Sequence, residues 1–269
     1  MSAAPAAPAV DAGPFDLPGA GATAAAAATL CLHGLTGTPY EVRPLGEALA
    51  ARGVRALGPV LPGHGGTPDE LAGLAGPEPW LAAARAHARA LRARHQAVFA
   101  VGLSMGGLLA LALAAEDEVD AAVVVGTPLA LPLPIRLVVP WAWRLRPFHP
   151  KTGGSDIRDD AARARHPSLP VMPLRSVSAL IRLQRAVRLR LPRVRVPLLV
   201  AHGAHDRTAR PADAEAILSG VASPVRERFA CPRSGHVVPV DHDGPALAEA
   251  VAEFLGRHIP PSPAGRRPG

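Results

Sequence analysis

Short apolar runs alternate with longer segments of helical periodicity along most of the chain. This alternation predicts a mostly parallel sheet covered by helices, the α/β class of fold. Four of the six apolar runs are continuous, as strands buried on both faces are. The predicted strands are Thr29–Leu32, Val54–Leu57, Ala97–Val101, Ala121–Val125, Pro197–Ala201 and Val225–Phe229. The predicted helices are Tyr40–Arg52, Glu78–His95, Gly107–Glu116, Pro211–Ser219 and Pro245–His258.

The segment 128–192 interrupts this pattern. Prolines are frequent near its start, and it contains Trp141 and Trp143, two of the three tryptophans of the chain. Such an insertion between two sheet strands is typical of a cap, which leaves 23–127 and 193–258 as the core domain. The segment ends with a predicted amphipathic helix, Leu174–Leu191. One side of this helix carries Val177, Leu180, Ile181, Val187 and Leu191, and the other carries Arg175, Ser178, Arg182 and Arg185.

Charge is unevenly distributed along the 269 residues. Between Arg136 and Arg195 there are fourteen Lys or Arg residues and three Asp residues, a local charge of +11. Because the formal charge of the whole chain is +7, the remainder carries about −4. A basic insertion on a mildly acidic body argues against a uniformly basic nucleic-acid binder.

Composition also bears on compartment and on the two termini. No run approaches the roughly 18 consecutive apolar residues that span a bilayer. Residues 1–22 lack the basic start and leucine-rich core of a secretory signal, so we expect a cytoplasmic protein. Residues 1–22 and 259–269 are predicted to be disordered tails. Cys31 and Cys231 are expected at the ends of two strands about four positions apart in the sheet. The distance between the two strands is then roughly 20 Å, beyond the ~7 Å between Cα atoms that a disulfide allows, which predicts free thiols.

Gly102-Leu103-Ser104-Met105-Gly106 matches the pattern G-x-S-x-G. A predicted strand precedes it and a predicted helix follows it, so Ser104 is expected on a sharp strand-to-helix turn with its hydroxyl exposed above the sheet. A serine hydroxyl becomes a good nucleophile only when a neighbouring base takes its proton. Ser104 is therefore the predicted nucleophile of a serine hydrolase.

An acid and a histidine follow the serine in the order that this arrangement requires. Asp206 comes after the strand 197–201, and His236 comes after the last strand and before the final helix. Both are expected on loops at the carboxyl edge of the sheet, His236 as general base and then acid, and Asp206 as the group that orients it. The sequence leaves alternatives open, namely Asp213 or Asp241 as the acid and His205 or His242 as the base.

The loop His33-Gly34-Leu35-Thr36-Gly37 follows the first predicted strand. In such hydrolases one oxyanion-hole amide comes from this loop and the other from the residue after the nucleophile, which assigns the amides of Leu35 and Met105. The pair His202 and His205 raises the question of a metal site, but no third ligand is evident, so no metal site is predicted and both are expected to be solvated or core histidines.

Taken together, these residues resemble the monoacylglycerol lipase and small bacterial carboxylesterase branch of the α/β-hydrolases. The matching segments run in the family order from about residue 28 to residue 256: LCLHGLTGTP, LPGHG, GLSMGG, HGAHD and SGHVVPVD. The resemblance implies an α/β-hydrolase fold, trimmed to six or seven strands because the chain has little room before Thr29. It also implies a Ser104–Asp206–His236 triad and no cofactor.

The activity implied by the resemblance is cleavage of short or medium acyl esters, or of monoacylglycerols, through an acyl-enzyme. A thioesterase, acyltransferase or peptidase with the same triad is the alternative, because a fold does not fix a substrate. Trp141, Leu180 and Ile181 are the cap residues predicted to contact the acyl chain. The arginines of the cap suggest peripheral contact with an anionic membrane surface.

Overall fold

Seven strands form one sheet in the computed structural model, which describes residues 10–19 and 26–261. The spatial order is β1-β3-β2-β4-β5-β8-β9, and every pair is parallel except β1 with β3. This confirms the predicted α/β class and strand number, with each of the six predicted strands present to within two residues. The strands of this sheet are β1 (Phe15–Leu17), β2 (Ala27–Leu32), β3 (Arg55–Gly58), β4 (Ala97–Leu103), β5 (Ala121–Val125), β8 (Leu198–Gly203) and β9 (Arg226–Cys231).

Helices cover both faces of the sheet, because alternate residues of each strand point to opposite sides. In β4, Val98 and Ala100 join the core on one face, and Phe99 and Val101 join the core on the other. Helices α3, α4, α7 and α8 cover the first face, and α1 and α9 cover the second. The α-helices are α1 (Arg43–Ala51), α2 (Pro68–Gly73), α3 (Glu78–Arg92), α4 (Met105–Ala115), α5 (Leu133–Ala142), α6 (Asp160–Arg165), α7 (Leu174–Arg190), α8 (Ala212–Gly220) and α9 (Gly244–Gly256).

The prediction of a disordered segment over residues 1–22 is wrong for residues 15–17, which form β1. Phe15 packs closely on Gly58, where an added Cβ would lie 2.2 Å from the ring, and the guanidinium of Arg43 lies 4.9 Å above that ring. Asp16 makes two hydrogen bonds to Arg55 of β3, at 2.8 and 2.6 Å. These contacts hold a three-residue edge strand. Residues 1–9, 20–25 and 262–269 lie outside the described part of the chain.

Two helical segments differ from the sequence prediction. The predicted helix Tyr40–Arg52 is divided into a 3₁₀ turn, Pro39–Glu41, and the helix α1. Helix α2 was not among the predicted helices. Its start is a capping box in which the Thr67 side chain accepts from the Glu70 amide and the Glu70 carboxylate accepts from the Thr67 amide.

The segment between β5 and β8 lies outside the seven-stranded sheet. It contains α5, α6, α7 and an antiparallel pair of short strands, β6 (Phe148–Pro150) with β7 (Val171–Pro173). The predicted amphipathic helix is confirmed as α7. Among the described helices, none is long and apolar enough to cross a membrane.

Cys31 and Cys231 end up in β2 and β9, four positions apart in the sheet. Both are buried and free, as predicted. Burial raises the pKa of each thiol to about 12, so both are inert neutral side chains.

Candidate active site

Ser104 lies on a sharp turn between β4 and α4. It is the single residue between the last residue of the strand, Leu103, and the first residue of the helix, Met105. Its backbone has φ +55° and ψ −114°, a left-handed conformation that is uncommon for a residue with a side chain. The Ser104 amide donates a hydrogen bond of 2.8 Å to the Val125 carbonyl at the end of β5, which fixes the turn to the sheet. Backbone strain of this kind is concentrated at functional sites.

The glycines on either side of Ser104 are explained by packing. A Cβ on Gly102 would lie 2.1 Å from the Gly106 carbonyl oxygen, and a Cβ on Gly106 would lie 2.0 Å from the Leu32 carbonyl oxygen. Neither position can carry a side chain without moving α4 away from the sheet. Packing therefore accounts for the glycines of the motif and leaves the serine to be explained by its chemistry.

His236 and Asp206 are hydrogen-bonded to each other, with 2.8 Å between His236 Nδ1 and Asp206 Oδ2. Both are buried, and both lie on loops that follow strands β9 and β8. A Cβ on Gly126 would lie 3.2 Å from His236 Nδ1 and 3.4 Å from Asp206 Oδ2. Because the Ser104 amide bonds to Val125, all three predicted residues meet at the C-terminal end of β5.

Asp206 is held as a carboxylate by four donors. Its Oδ1 accepts from the amides of Thr208 and Ala209, at 2.8 and 2.7 Å. Its Oδ2 is shared by His236 and by Nε2 of His202, which lies 3.1 Å away. Burial raises the pKa of Asp206, but the charge of His236 and these hydrogen bonds outweigh burial and leave that pKa well below its usual value.

The pKa of His236 is shifted in the opposite direction from that of Asp206. Burial lowers the pKa of His236, but the charge and hydrogen bond of Asp206 outweigh it, with smaller contributions from Asp156 and Glu41. The net result is a raised pKa. His236 is therefore a stronger base than an ordinary histidine, because the Asp206 carboxylate stabilises its imidazolium form.

The alternative acids have other partners. Asp213 accepts from the Leu129 amide and from Arg210. Asp241 accepts from four backbone amides, those of Arg158, Asp159, Gly235 and His242, at 2.8–2.9 Å. Asp241 thus links the loop before His236, at Gly235, to the backbone of Arg158 and Asp159.

The alternative histidines are more exposed than His236. His205 is exposed, and the ring of His242 is 43% exposed, with 3.9 Å between its Nδ1 and Asp159 Oδ2. His202, considered with His205 as half of a metal site, instead contacts Asp206 and the Ala209 carbonyl.

The loop after β2, residues 33–38, lies beside the nucleophile and is here called the β2 loop. A Cβ on Gly34 would lie 3.5 Å from Ser104 Cβ, which places Leu35 one residue from that contact. Thr36 has φ +66°, so this loop also contains a left-handed residue that is not glycine. In the described turns and loops, the amides of Leu35 and Met105 donate no hydrogen bond to the protein. Both amides are therefore free to bind a ligand oxygen.

The three cap residues predicted to contact the acyl chain have different environments. Leu180 is buried in the core cluster that includes the leucines of α4. Ile181 is half-buried, and Trp141 is 71% exposed on α5. Among the three arginines predicted on the polar side of α7, Arg182 and Arg185 are exposed, in agreement with the prediction.

Arg175 departs from that prediction because it is half-buried. Its guanidinium lies 5.1 Å above the ring of Trp143, and Nη1 is 3.5 Å from the Ala72 carbonyl oxygen. This arginine therefore joins α7 to the last turn of α2.

Asp156 is a site residue that sequence reasoning did not identify. Its carbonyl accepts from the His236 amide at 2.8 Å, and its carboxylate accepts from the Arg207 amide at 2.7 Å and from the Thr208 hydroxyl. It thereby joins the loop that carries the histidine to the loop that carries the acid. Its partners are about fifty or more residues away in the sequence, so no local pattern marks it.

A parallel sheet with helices on both faces, and a strained serine on the turn from a central strand to a buried helix, define the chain as an α/β-hydrolase. The sequence profile of the family described as serine aminopeptidase, S33, matches residues 23–243, and the chain belongs to that family.

Individual relatives agree with this class. The chain is 31% identical to a thermostable monoacylglycerol lipase of Bacillus sp. (strain H-257), over 85% of this chain and 90% of that protein. It is 28% identical to a carboxylesterase of Bacillus subtilis (strain 168), over 85% of this chain and 92% of that protein.

Solved structures show the same fold. A structure from work on the metagenome-derived lipolytic enzymes LipS and LipT superimposes with a TM-score of 0.85 at 28% identity, over 92% of this chain and 98% of that chain. A soluble variant of the monoglyceride lipase of Saccharomyces cerevisiae gives a TM-score of 0.78 at 16% identity, over 92% of both chains. The chain is therefore a hydrolase of the lipase and esterase type.

Proposed function

We propose that the chain cleaves carboxylic esters through a covalent acyl-enzyme formed on Ser104. The observation that carries this proposal is the placement of Ser104 on the strained turn beside the hydrogen-bonded pair His236–Asp206. In the proposed first step, Ser104 Oγ attacks the ester carbonyl carbon while His236 takes its proton. His236 then returns the proton to the departing alcohol. In the second half of the reaction water attacks the acyl-enzyme carbonyl while His236 takes its proton, and His236 returns that proton to Ser104 Oγ as the carboxylic acid leaves.

Charge develops at two places in each step. The oxyanion of the tetrahedral intermediate would be bound by the amides of Leu35 and Met105, whose lack of protein acceptors in the described loops supports this role. The imidazolium of His236 would be stabilised by the negative charge of Asp206. The four hydrogen-bond donors around Asp206 support this role, because they favour its carboxylate form. Each oxyanion donor contributes about 3–4 kcal/mol to the barrier reduction.

Monoacylglycerols and short or medium acyl esters are the proposed substrates, because the curated relatives are named monoacylglycerol lipase and carboxylesterase. Peptide hydrolysis is the second candidate, because the description of the family is serine aminopeptidase. A chain-length series of p-nitrophenyl esters, a monoacylglycerol and an aminoacyl p-nitroanilide, assayed on one preparation, separates these. We expect turnover of the esters and monoacylglycerol, and an aminoacyl anilide rate higher than the ester rates would reverse the assignment.

The raised pKa of His236 predicts a particular pH dependence. Only the neutral imidazole accepts the serine proton, so kcat/KM should fall as the pH falls through the pKa of the free enzyme. Because that pKa is raised, the loss should begin at a higher pH than the usual 6.5 would give. A pH series of kcat/KM on a p-nitrophenyl ester measures it, and a midpoint below 6.5 would contradict the predicted direction.

We also propose that the cap contacts anionic lipid surfaces. We assign this contact to α5 rather than to the arginines of α7. Within the described chain, six of the seven large apolar side chains that are exposed lie on or next to α5: Leu133, Ile135, Leu137, Val138, Trp141 and Leu145. Exposed arginines at positions 136, 144 and 146 border this apolar surface. An apolar helix face bordered by cations suits the boundary between acyl chains and anionic headgroups.

Vesicle co-sedimentation tests this contact. We expect the wild type to bind vesicles of phosphatidylcholine with phosphatidylserine better than phosphatidylcholine alone, and binding should weaken as salt rises. The double variant Leu137→Ser/Trp141→Ser should bind several-fold less and keep its activity on a soluble ester. Leu189→Ser, which removes an exposed leucine from α7, is the matched control and should bind normally. Equal reduction by both variants would refute an α5 site.

A further inference from the structure

The β2 loop, which carries one of the proposed oxyanion donors, is built around a buried carboxylate. Oε2 of Glu41 accepts a hydrogen bond of 2.8 Å from the Gly34 amide, the peptide next to Leu35. A Cβ on Gly37 would lie 2.1 Å from the Glu41 carboxylate, so the loop closes directly around that group. Glu41 is 4% exposed and thus lies inside the turn that it stabilises.

The second oxygen of Glu41 is held by the insertion between β5 and β8. His166 Nε2 lies 3.1 Å from Glu41 Oε1, and the other ring nitrogen of His166 lies 2.6 Å from the hydroxyl of Ser155. Burial raises the pKa of Glu41, but the hydrogen bond and charge of His166, helped by His33 and the Gly34 amide, lower it to about 2. These donors therefore favour the ionised form of Glu41.

Two more bonds from the same insertion reach the loop at Thr36. The Leu169 amide donates to the Thr36 carbonyl at 3.0 Å, and Lys151 Nζ donates to the Thr36 hydroxyl at 2.6 Å. Thr36 has the left-handed φ of +66°, which a threonine adopts only when its surroundings hold it there. Restraints from residues 151–169 thus fall on both sides of Leu35.

We propose that Glu41 and His166 are positioning residues that hold the Leu35 amide in line with the oxyanion, so that the insertion between β5 and β8 takes part in building the oxyanion hole. This inference rests on the proposed function of the Leu35 amide. A carboxylate near a developing oxyanion is electrostatically unfavourable in itself. Its presence here fits a geometric role, because His166 donates to the Glu41 carboxylate and Lys151 donates to the Thr36 hydroxyl of the same loop. A displacement of about 1 Å at a catalytic group costs on the order of 100-fold in rate.

The test compares alanine with glutamine at both positions. Gln at 166 keeps an amide donor near the position of Nε2, and Gln at 41 keeps an oxygen that can accept from Gly34. We expect Glu41→Ala and His166→Ala to lower kcat on p-nitrophenyl butyrate about 10- to 100-fold with KM within about threefold. His166→Gln should recover most of the loss. Asp160→Asn, an exposed change on α6 in the same insertion, is the control and should keep wild-type kcat.

A second readout separates positioning from general structural damage. An alkyl trifluoromethyl ketone adds to the nucleophilic serine and forms a tetrahedral oxyanion, whereas the matching methyl ketone binds without adding. In the alanine variants, the Ki of the trifluoromethyl ketone should rise by the factor by which kcat/KM falls, and the Ki of the methyl ketone should stay constant. Melting curves identify any variant that fails to fold. If Glu41→Ala fails to fold, the comparison of His166→Ala with His166→Gln still tests the proposal.

The proposal is overturned if folded His166→Ala keeps kcat within twofold of wild type. It is also overturned if kcat falls while the trifluoromethyl ketone Ki is unchanged, or if His166→Gln loses as much as His166→Ala. Failure of the proposed function looks different, because the wild type itself would then neither hydrolyse the ester nor bind the trifluoromethyl ketone covalently.

Discussion

Ser104→Ala is expected to lower kcat on a p-nitrophenyl ester by about 10⁴- to 10⁶-fold, the largest effect of any single change in this chain. The reason is that without Oγ no acyl-enzyme forms, and water must attack a substrate that is only bound and polarised. Binding and the two oxyanion amides are retained, so KM should change little. The variant should also lose all labelling by a fluorophosphonate probe.

The fold should survive this change. Alanine accepts the backbone conformation at position 104 about as poorly as serine does, and the Ser104 amide bond to Val125 uses the main chain only. The melting temperature should therefore stay near that of the wild type. Ser219→Ala on α8, whose hydroxyl bonds only to carbonyls of its own helix, is the matched serine control and should keep full activity. Near-normal turnover by Ser104→Ala would remove Ser104 from the mechanism.

Features that depend on local sequence were predicted well. The strands of the sheet and helix α7 follow from periodicity within a single segment. Ser104 is marked by a five-residue motif whose glycines are fixed by contacts of the same turn with β2 and with each other. The pairing of His236 with Asp206 is long-range, but the chain order of the triad indicates which loops to search.

Features that depend on packing between distant segments were missed. Residues 15–17 are too few to show a period, and their pairing with β3 depends on contacts of Phe15 and Asp16 about forty residues away. The bond between Glu41 and His166 joins residues 125 apart. No pattern within either segment carries that information.

Helix α7 illustrates what a helical wheel can and cannot establish. It separates the buried side from the exposed side except at Arg175, which is half-buried, but it does not identify what the buried side packs against. Leu180 lies against the core of the domain, so Leu180→Ala would create a cavity there, and its effect would report stability as well as acyl binding. Ile181 is half-buried and outside that cluster, so Ile181→Ala should test the predicted acyl contact with a smaller loss of stability.

Helix α5 shows the opposite case. Most of its residues are apolar, yet only Val139 is buried among them. The exposure of α5 supports the proposed contact with lipid surfaces, and sequence periodicity alone does not reveal that exposure.

Asp206→Asn is expected to lower kcat on the order of 10⁴-fold while the protein stays folded. An asparagine has the same shape, and its amide oxygen can still accept from the Thr208 and Ala209 amides. The amide nitrogen of the asparagine then faces His236 and donates to Nδ1, so the proton of the neutral imidazole lies on Nε2. A protonated Nε2 cannot accept the proton of Ser104. Loss of the Asp206 charge also removes the main contribution that raises the pKa of His236, so the imidazolium is less stable in the transition state.

Two matched Asp→Asn changes test whether this effect belongs to Asp206. Asp213→Asn leaves His236 untouched and should keep kcat within a few-fold, because Asp213 bonds to Leu129 and Arg210. Asp241→Asn replaces one acceptor oxygen by a donor in a site that receives four amides, so it should lower the melting temperature more than Asp206→Asn does. The measurement is kcat per folded enzyme, with the folded fraction taken from the melting curves. If Asp213→Asn or Asp241→Asn reduced kcat more than Asp206→Asn on that basis, the acid of the triad would have to be reassigned to that residue.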